Sequence, residues 1–83
     1  MRLGGEEFLV ICRQETTQTQ AMGVGERLRQ AVQQRQSDGQ PPVTVSIGVA
    51  MRRPSETWES QLKRADDALY QAKSRGRNRV ERA

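Results

Sequence analysis

Gly4-Gly5-Glu6-Glu7-Phe8 is the stretch on which the reading of this chain turns. Arg2-Leu3 precedes it, and the apolar run Phe8-Leu9-Val10-Ile11-Cys12 follows. Glycine has no Cβ, so the backbone there turns freely and a ligand can come close. Gly-Gly between two apolar segments is a hairpin signal. Arg2-Leu3 would then end one strand, and residues 7 to about 12 would form the next. A turn with two carboxylates at its edge either exposes solvated acids or holds a ligand, and these five residues leave both readings open.

Downstream, strand and helix signals alternate. Thr17 with Gln20 predicts a capping box and a helix from about 18 to 36. Ala21, Val24, Leu28, Ala31 and Val32 share one face of it. Gly23-Val24-Gly25 is no phosphate loop, because it lies inside that amphipathic pattern and lacks the other motif residues. Asp38-Gly39 and Pro41-Pro42 mark a connecting loop. Residues 43–50 alternate, with Val43, Val45, Ile47 and Val49 on one face and Thr44, Ser46, Gly48 and Ala50 on the other. The small second face would admit a helix or a ligand. Thr57 predicts a helix N-cap, with Glu59 favourable in the first turn. That helix runs to about Arg75, with Trp58, Leu62, Ala65, Leu69 and Ala72 as its buried stripe. Gly76 is its expected C-terminal cap, and residues 79–82 offer a short last strand.

The composition bounds the function. At 83 residues the chain is at most one small domain with a marginal core. Aromatics are only 4%, so few large side chains fill that core. Absence of histidine excludes His-based acid–base catalysis and His metal ligands. The lone cysteine, Cys12, reads as a buried thiol and fits a reducing cytoplasm. No stretch is apolar for long enough to span a membrane, and no signal peptide is visible. The net charge of +4 is concentrated late, at Lys73, Arg75, Arg77, Arg79 and Arg82. Such a cluster attracts phosphate or is a solvated end. Nucleic acid is a poor candidate partner, because aromatics are scarce and no nucleic-acid motif is present.

Glu6 and Glu7 are the acids with chemical promise. Adjacent strand residues point to opposite faces, so both serve one site only where turn geometry relaxes that rule. Oxygen-only donors point to Mg²⁺ or Mn²⁺ rather than Zn²⁺. Lys73 and Arg77 stand four apart around the helix stop. Any phosphate there must be held by their side chains, since the helix C-terminus itself repels anions. Asp66 and Asp67 read as structural or solvated, and Trp58 and Tyr70 as packing residues.

Four blocks in order carry a family resemblance. They are Arg2-Leu3-Gly4-Gly5-Glu6-Glu7-Phe8, then Gly25-Glu26-Arg27-Leu28-Arg29, then Val43 to Ala50, then Arg64 to Asn78. The chain resembles the C-terminal half of a GGDEF domain, the catalytic domain of bacterial diguanylate cyclases, in a GGEEF form. The resemblance spans residues 1–83. It implies a truncated α+β nucleotide-cyclase palm-like domain, with antiparallel strands and two helices packed on one face. It makes Glu6 the metal-binding and catalytic carboxylate and gives Glu7 a supporting catalytic role. Gly4 and Gly5 would lie beside the nucleotide, and Lys73 and Arg77 would hold the triphosphate of GTP. Arg27 resembles the helix arginine of the family's inhibitory cyclic di-GMP site. The implied reaction joins two GTP molecules into cyclic di-GMP across a pair of domains.

The family's first half, with another metal-binding aspartate and the guanine-reading residues, is expected to lie outside this sequence. The chain alone is therefore expected to be a poor cyclase that still binds cyclic di-GMP. An unpaired sheet edge predicts a homodimer, and the resemblance implies an upstream sensor or regulatory domain. The alternatives are a non-catalytic cyclic di-GMP-binding module and a basic polyanion-binding module, the latter with a steep salt dependence.

Overall fold

A computed structural model describes residues 5–13, 15–35, 39 and 43–83. Along the chain these form β1 (Gly5–Ile11), α1 (Gln18–Gln34), β2 (Thr44–Ala50), α2 (Trp58–Ser74) and β3 (Arg79–Arg82). The three strands make one sheet in the order β1-β2-β3. Two helices on a sheet fit the expected α+β class. The hairpin partner at Arg2-Leu3 lies outside the described residues.

The expected antiparallel pairing is overturned. β1 pairs parallel with β2, from Gly5↔Thr44 to Ile11↔Ala50. β2 pairs parallel with β3, from Ser46↔Arg79 to Val49↔Arg82. The reason is the connections. β1 and β2 are each followed by a helix of 17 residues that carries the chain back to the end where the strand began.

Placement of both helices on one face is also corrected. Val45, Ile47 and Val49 pack with Ala21, and Met22, Leu28, Val32 and Val80 close around them. That is the α1 face. The opposite face of β2 carries Gly48, where a Cβ would lie 2.5 Å from Leu69 N and closer still to Ala65 O. That is the α2 face. Hence every residue from Val45 to Ala50 is buried. Full burial of Val45, Ile47 and Val49 contributes about 1.5–3 kcal/mol each relative to exposure. Both connections step in the same lateral direction between parallel strands, yet their helices lie on opposite faces. The two crossovers are therefore of opposite hand, and one departs from the right-handed preference of such units.

Close approach explains which helix residues are buried. On α1 they are Ala21 and Gly25, with Leu28 and Val32 half-buried, while Val24 and Ala31 are exposed. A Cβ on Gly25 would lie 2.9 Å from Val80 Cγ1, so Gly25 lets α1 settle onto β3. On α2 the buried residues are Gln61, Ala65, Ala68, Leu69 and Ala72. The expected stripe is thus rotated, because α2 seats its small residues against Gly48. Trp58 is 61% exposed and Tyr70 66%, so neither packs as expected.

The caps agree with the sequence. Thr17 and Gln20 form the reciprocal capping box, and the Thr57 hydroxyl accepts from Ser60 N. At the far end of α2, Arg77 N donates to Ala72 O at 2.9 Å and Gly76 N to Lys73 O at 3.4 Å. This is a Schellman stop around a glycine at φ +118°.

Candidate functional site

Parallel strands put all three strand N-termini at one end of the sheet. The chain leaves α2 and enters β3 at that end, and Lys73 from the last turn of α2 meets the start of β1 there. Lys73 Nζ lies 3.3 Å from Glu7 Oε1. The tertiary structure thus joins two sequence-predicted residues that stand 66 positions apart. Their side chains are about a third exposed, at 31% and 37%. This pair is open to exchange with a ligand, and salt screens it.

Strand geometry already holds at the acids. Glu6 stands opposite Val45 and Glu7 opposite Ser46, so they lie on opposite faces. Glu7 faces the α2 side with Lys73, while Glu6 faces the α1 side and is exposed. The two carboxylates do not converge along this strand. Gly5 begins β1, and Gly4 lies outside the described residues.

Arg77 is exposed and has a left-handed backbone at φ +63°, followed by Asn78 at +48°. A non-glycine residue in that region costs about 1–2 kcal/mol, and such positions gather at functional sites. Both residues follow the Schellman stop at Gly76 and lead directly into β3. Arg75 and Arg79 both reach Glu81, at 3.0 and 3.8 Å. The late basic cluster is therefore partly neutralised. Among the described residues, Arg77 has no ion-pair partner.

Sequence reasoning singled out Arg27, which is exposed on α1. It passed over Arg29, which is more deeply engaged. Arg29 Nε donates to Glu26 Oε1 at 2.8 Å, and its Nη1 reaches Gln33 Oε1 and Asn78 Oδ1 at 3.0 and 3.1 Å. The bond from Arg29 holds the Glu26 carboxyl below its ordinary range. Arg29 thus ties α1 to the left-handed turn that carries Arg77. The i, i+3 spacing of Glu26 and Arg29 was a visible signal for the local pair. The bond to Asn78 had none.

Asp66 and Asp67 are exposed, with Asp67 3.7 Å from Lys63, in keeping with a solvated role. Cys12 is half-buried rather than fully buried, and desolvation pushes its thiol pKa up. It stays protonated and is a poor nucleophile. Among the described residues, no three His, Cys, Asp or Glu side chains gather as a metal cage. Glu6 offers a single carboxylate oxygen donor set, which suits a hard cation sharing its other positions with water and phosphate.

Residues 1–79 match the family described as diguanylate cyclase, GGDEF domain. The chain belongs to the GGDEF family. It is 44% identical to diguanylate cyclase DgcM of Escherichia coli K12 over 79 residues, covering 95% of this chain and 19% of that protein. It is 45% identical to diguanylate cyclase A of Treponema denticola over 83 residues, covering 95% and 22%. The response regulator PleD of Caulobacter vibrioides is 42% identical over 90 residues, covering 95% and 18%. The chain spans about a fifth of the length of these relatives. GGDEF cyclases are generally Mg²⁺-dependent. No helix among the described residues is long and apolar enough to cross a membrane.

Proposed function

We propose that this chain supplies the glycine turn, one metal-binding carboxylate and the phosphate-holding cations of a diguanylate cyclase catalytic domain in its GGEEF form. That enzyme condenses two GTP into cyclic di-GMP. The observation that carries the reading is the approach of Lys73 to Glu7 at 3.3 Å, which brings the helix exit to the acidic start of β1. Family membership supplies the reaction.

Within this reading the side chains divide the work. Gly4 and Gly5 leave room for the nucleotide. Glu6 gives one carboxylate to Mg²⁺ or Mn²⁺, which supplies charge neutralisation and phosphate orientation when bound. Lys73 exchanges Glu7 for a phosphate oxygen, and Arg77 adds a planar fork to the same triphosphate. Glu7 holds Lys73 beside the start of β1 through their ion pair. Each GTP's 3′-hydroxyl attacks the α-phosphate of the GTP on the partner domain, with pyrophosphate leaving, so positioning and charge carry the rate.

GTP binding with Mg²⁺, followed by equilibrium dialysis, tests this assignment. Lys73→Ala and Arg77→Ala should each weaken it by about 10-fold, the value of one charge-assisted contact. Indifference to both would remove the assignment. Turnover by the pure chain would overturn its expected inactivity outside a full domain. Cyclic di-GMP binding lost in Arg27→Ala would support the inhibitory-site role of that exposed arginine. β1 has a neighbour on one side only in the described sheet, which supports a homodimer through its open edge. Sedimentation velocity of the chain with and without cyclic di-GMP tests that association, and a monomer in both conditions would refute it.

A further inference from the structure

The opposite end of the sheet holds a second cleft. Ile11, Cys12 and Arg13 line it from the exit of β1, Arg52 from the exit of β2, and Trp58 and Gln61 from the start of α2. Its volume is about 640 Å³, within the span of small-molecule sites. The Gln61 amide fixes the floor by donating to Cys12 O at 2.7 Å and Ala50 O at 2.9 Å. Gln61 is 2% exposed, so this floor is rigid and the two strand exits are locked together.

The walls combine two chemistries. Ile11 is 45% exposed and Trp58 61%, an apolar pair left facing solvent in one concavity. Arg13 and Arg52 are exposed on the same cleft, and neither has a hydrogen-bond or ion-pair partner for its side chain among the described residues. Glu15 is the one acid among the described residues of the lining. An indole face accepts a flat ring, and a guanidinium fork accepts a phosphate or carboxylate. Aromatic stacking beside arginine is the way proteins hold bases without reading their edges.

We infer that this cleft is a binding site for a planar aromatic anion, with the ring stacked on Trp58 and the anionic group held by Arg13 and Arg52. Neither arginine is needed for the site at the other end of the sheet, so the two stand or fall separately. Glu15 limits the charge the cleft tolerates.

Trp58 is the only tryptophan, so its indole N–H resonance reports the cleft directly. The 83-residue chain is titrated with adenosine 5′-monophosphate, adenosine, ribose 5-phosphate and 2-naphthoate. A saturable shift is expected with the monophosphate, the naphthoate or both, which identifies a phosphate or a carboxylate as the preferred anion. Adenosine and ribose 5-phosphate, each lacking half of the recognition, should bind about 10-fold more weakly. The Arg13→Gln/Arg52→Gln double variant should lose about 10-fold, and Glu15→Gln should gain about 2-fold. The inference is overturned by equal affinity for adenosine and its monophosphate, or by binding unchanged in the double variant. Loss of binding on Lys73→Ala would place the ligand at the other end and would also overturn it.

Discussion

The two ends of the sheet use arginine and lysine in opposite ways. At the N-terminal end, where β1 starts and α2 stops, most charge is matched. Lys73 is held by Glu7, and Arg75 and Arg79 by Glu81. At the C-terminal end, Arg13 and Arg52 have no side-chain partner among the described residues and stand beside an exposed indole. Matched cations hold their geometry without a ligand and release it by exchange. Unmatched cations leave their field in the solvent, where it attracts anions. One end is organised before its ligand arrives. The other is organised by its Gln61 floor and the nearby Arg64–Glu56 pair, with Arg13 and Arg52 left for a ligand.

That comparison depends on a common middle, and the largest expected effect breaks it there. Gly48→Ala inserts a Cβ into the α2 backbone at Ala65 and Leu69. It should cost about 3 kcal/mol by urea denaturation and damage both ends together. A cost near zero would mean that α2 does not seat on Gly48. The next effect is confined to one end. Lys73→Ala should lower GTP affinity by about 10-fold and leave the Trp58 indole resonance unmoved.

Acid sharpens the contrast at the C-terminal end. Glu56 is 7% exposed and accepts from Arg64 at 2.7 Å, while Arg64 also caps Met51 O. The Arg64 bond holds the Glu56 pKa down at about 2, from an ordinary 4.5. A carboxyl depressed in the folded state stabilises above its unfolded pKa and loses that contribution as the pH falls. Stability should therefore drop between about pH 4.5 and pH 2, and Glu56→Gln should flatten that stretch of the acid denaturation profile. An unchanged profile would show that the pair does not form. The smallest effect separates stability from binding at the N-terminal end. Arg77→Gly relieves a left-handed residue at about 1–2 kcal/mol and adds about 0.5–1 kcal/mol of backbone entropy. A net gain of about 0.5 kcal/mol in thermal unfolding should accompany weaker GTP binding. Loss of stability would show that the Arg77 side chain is structural.

Local signals in the sequence were sufficient for the element order and the helix ends. Thr17, Thr57 and Gly76 each act through groups within a few residues, so their roles are visible without a fold. Lys73 and Arg77 could be named as candidates because they lie in one contiguous stretch around the end of α2. Gln61 was not legible, because its partners Cys12 O and Ala50 O lie on two other strands. Nor was the exposure of Trp58. Helical spacing alone allows a stripe through 58 and 62, and only the close seating of Ala65 and Leu69 on Gly48 selects the face through Gln61 instead.

By itself the sequence determined the two helices, the buried β2 strand, the caps and the family, all carried by local periodicity or contiguous motif. Tertiary structure decided that the strands run parallel, that the helices take opposite faces, and that Glu7 and not Glu6 meets Lys73. The strand direction follows from the helical connections, and the helix faces from which residues can approach across the sheet. A missing Cβ at Gly25 and at Gly48 sets that distance, and no reading of neighbours along the chain contains it.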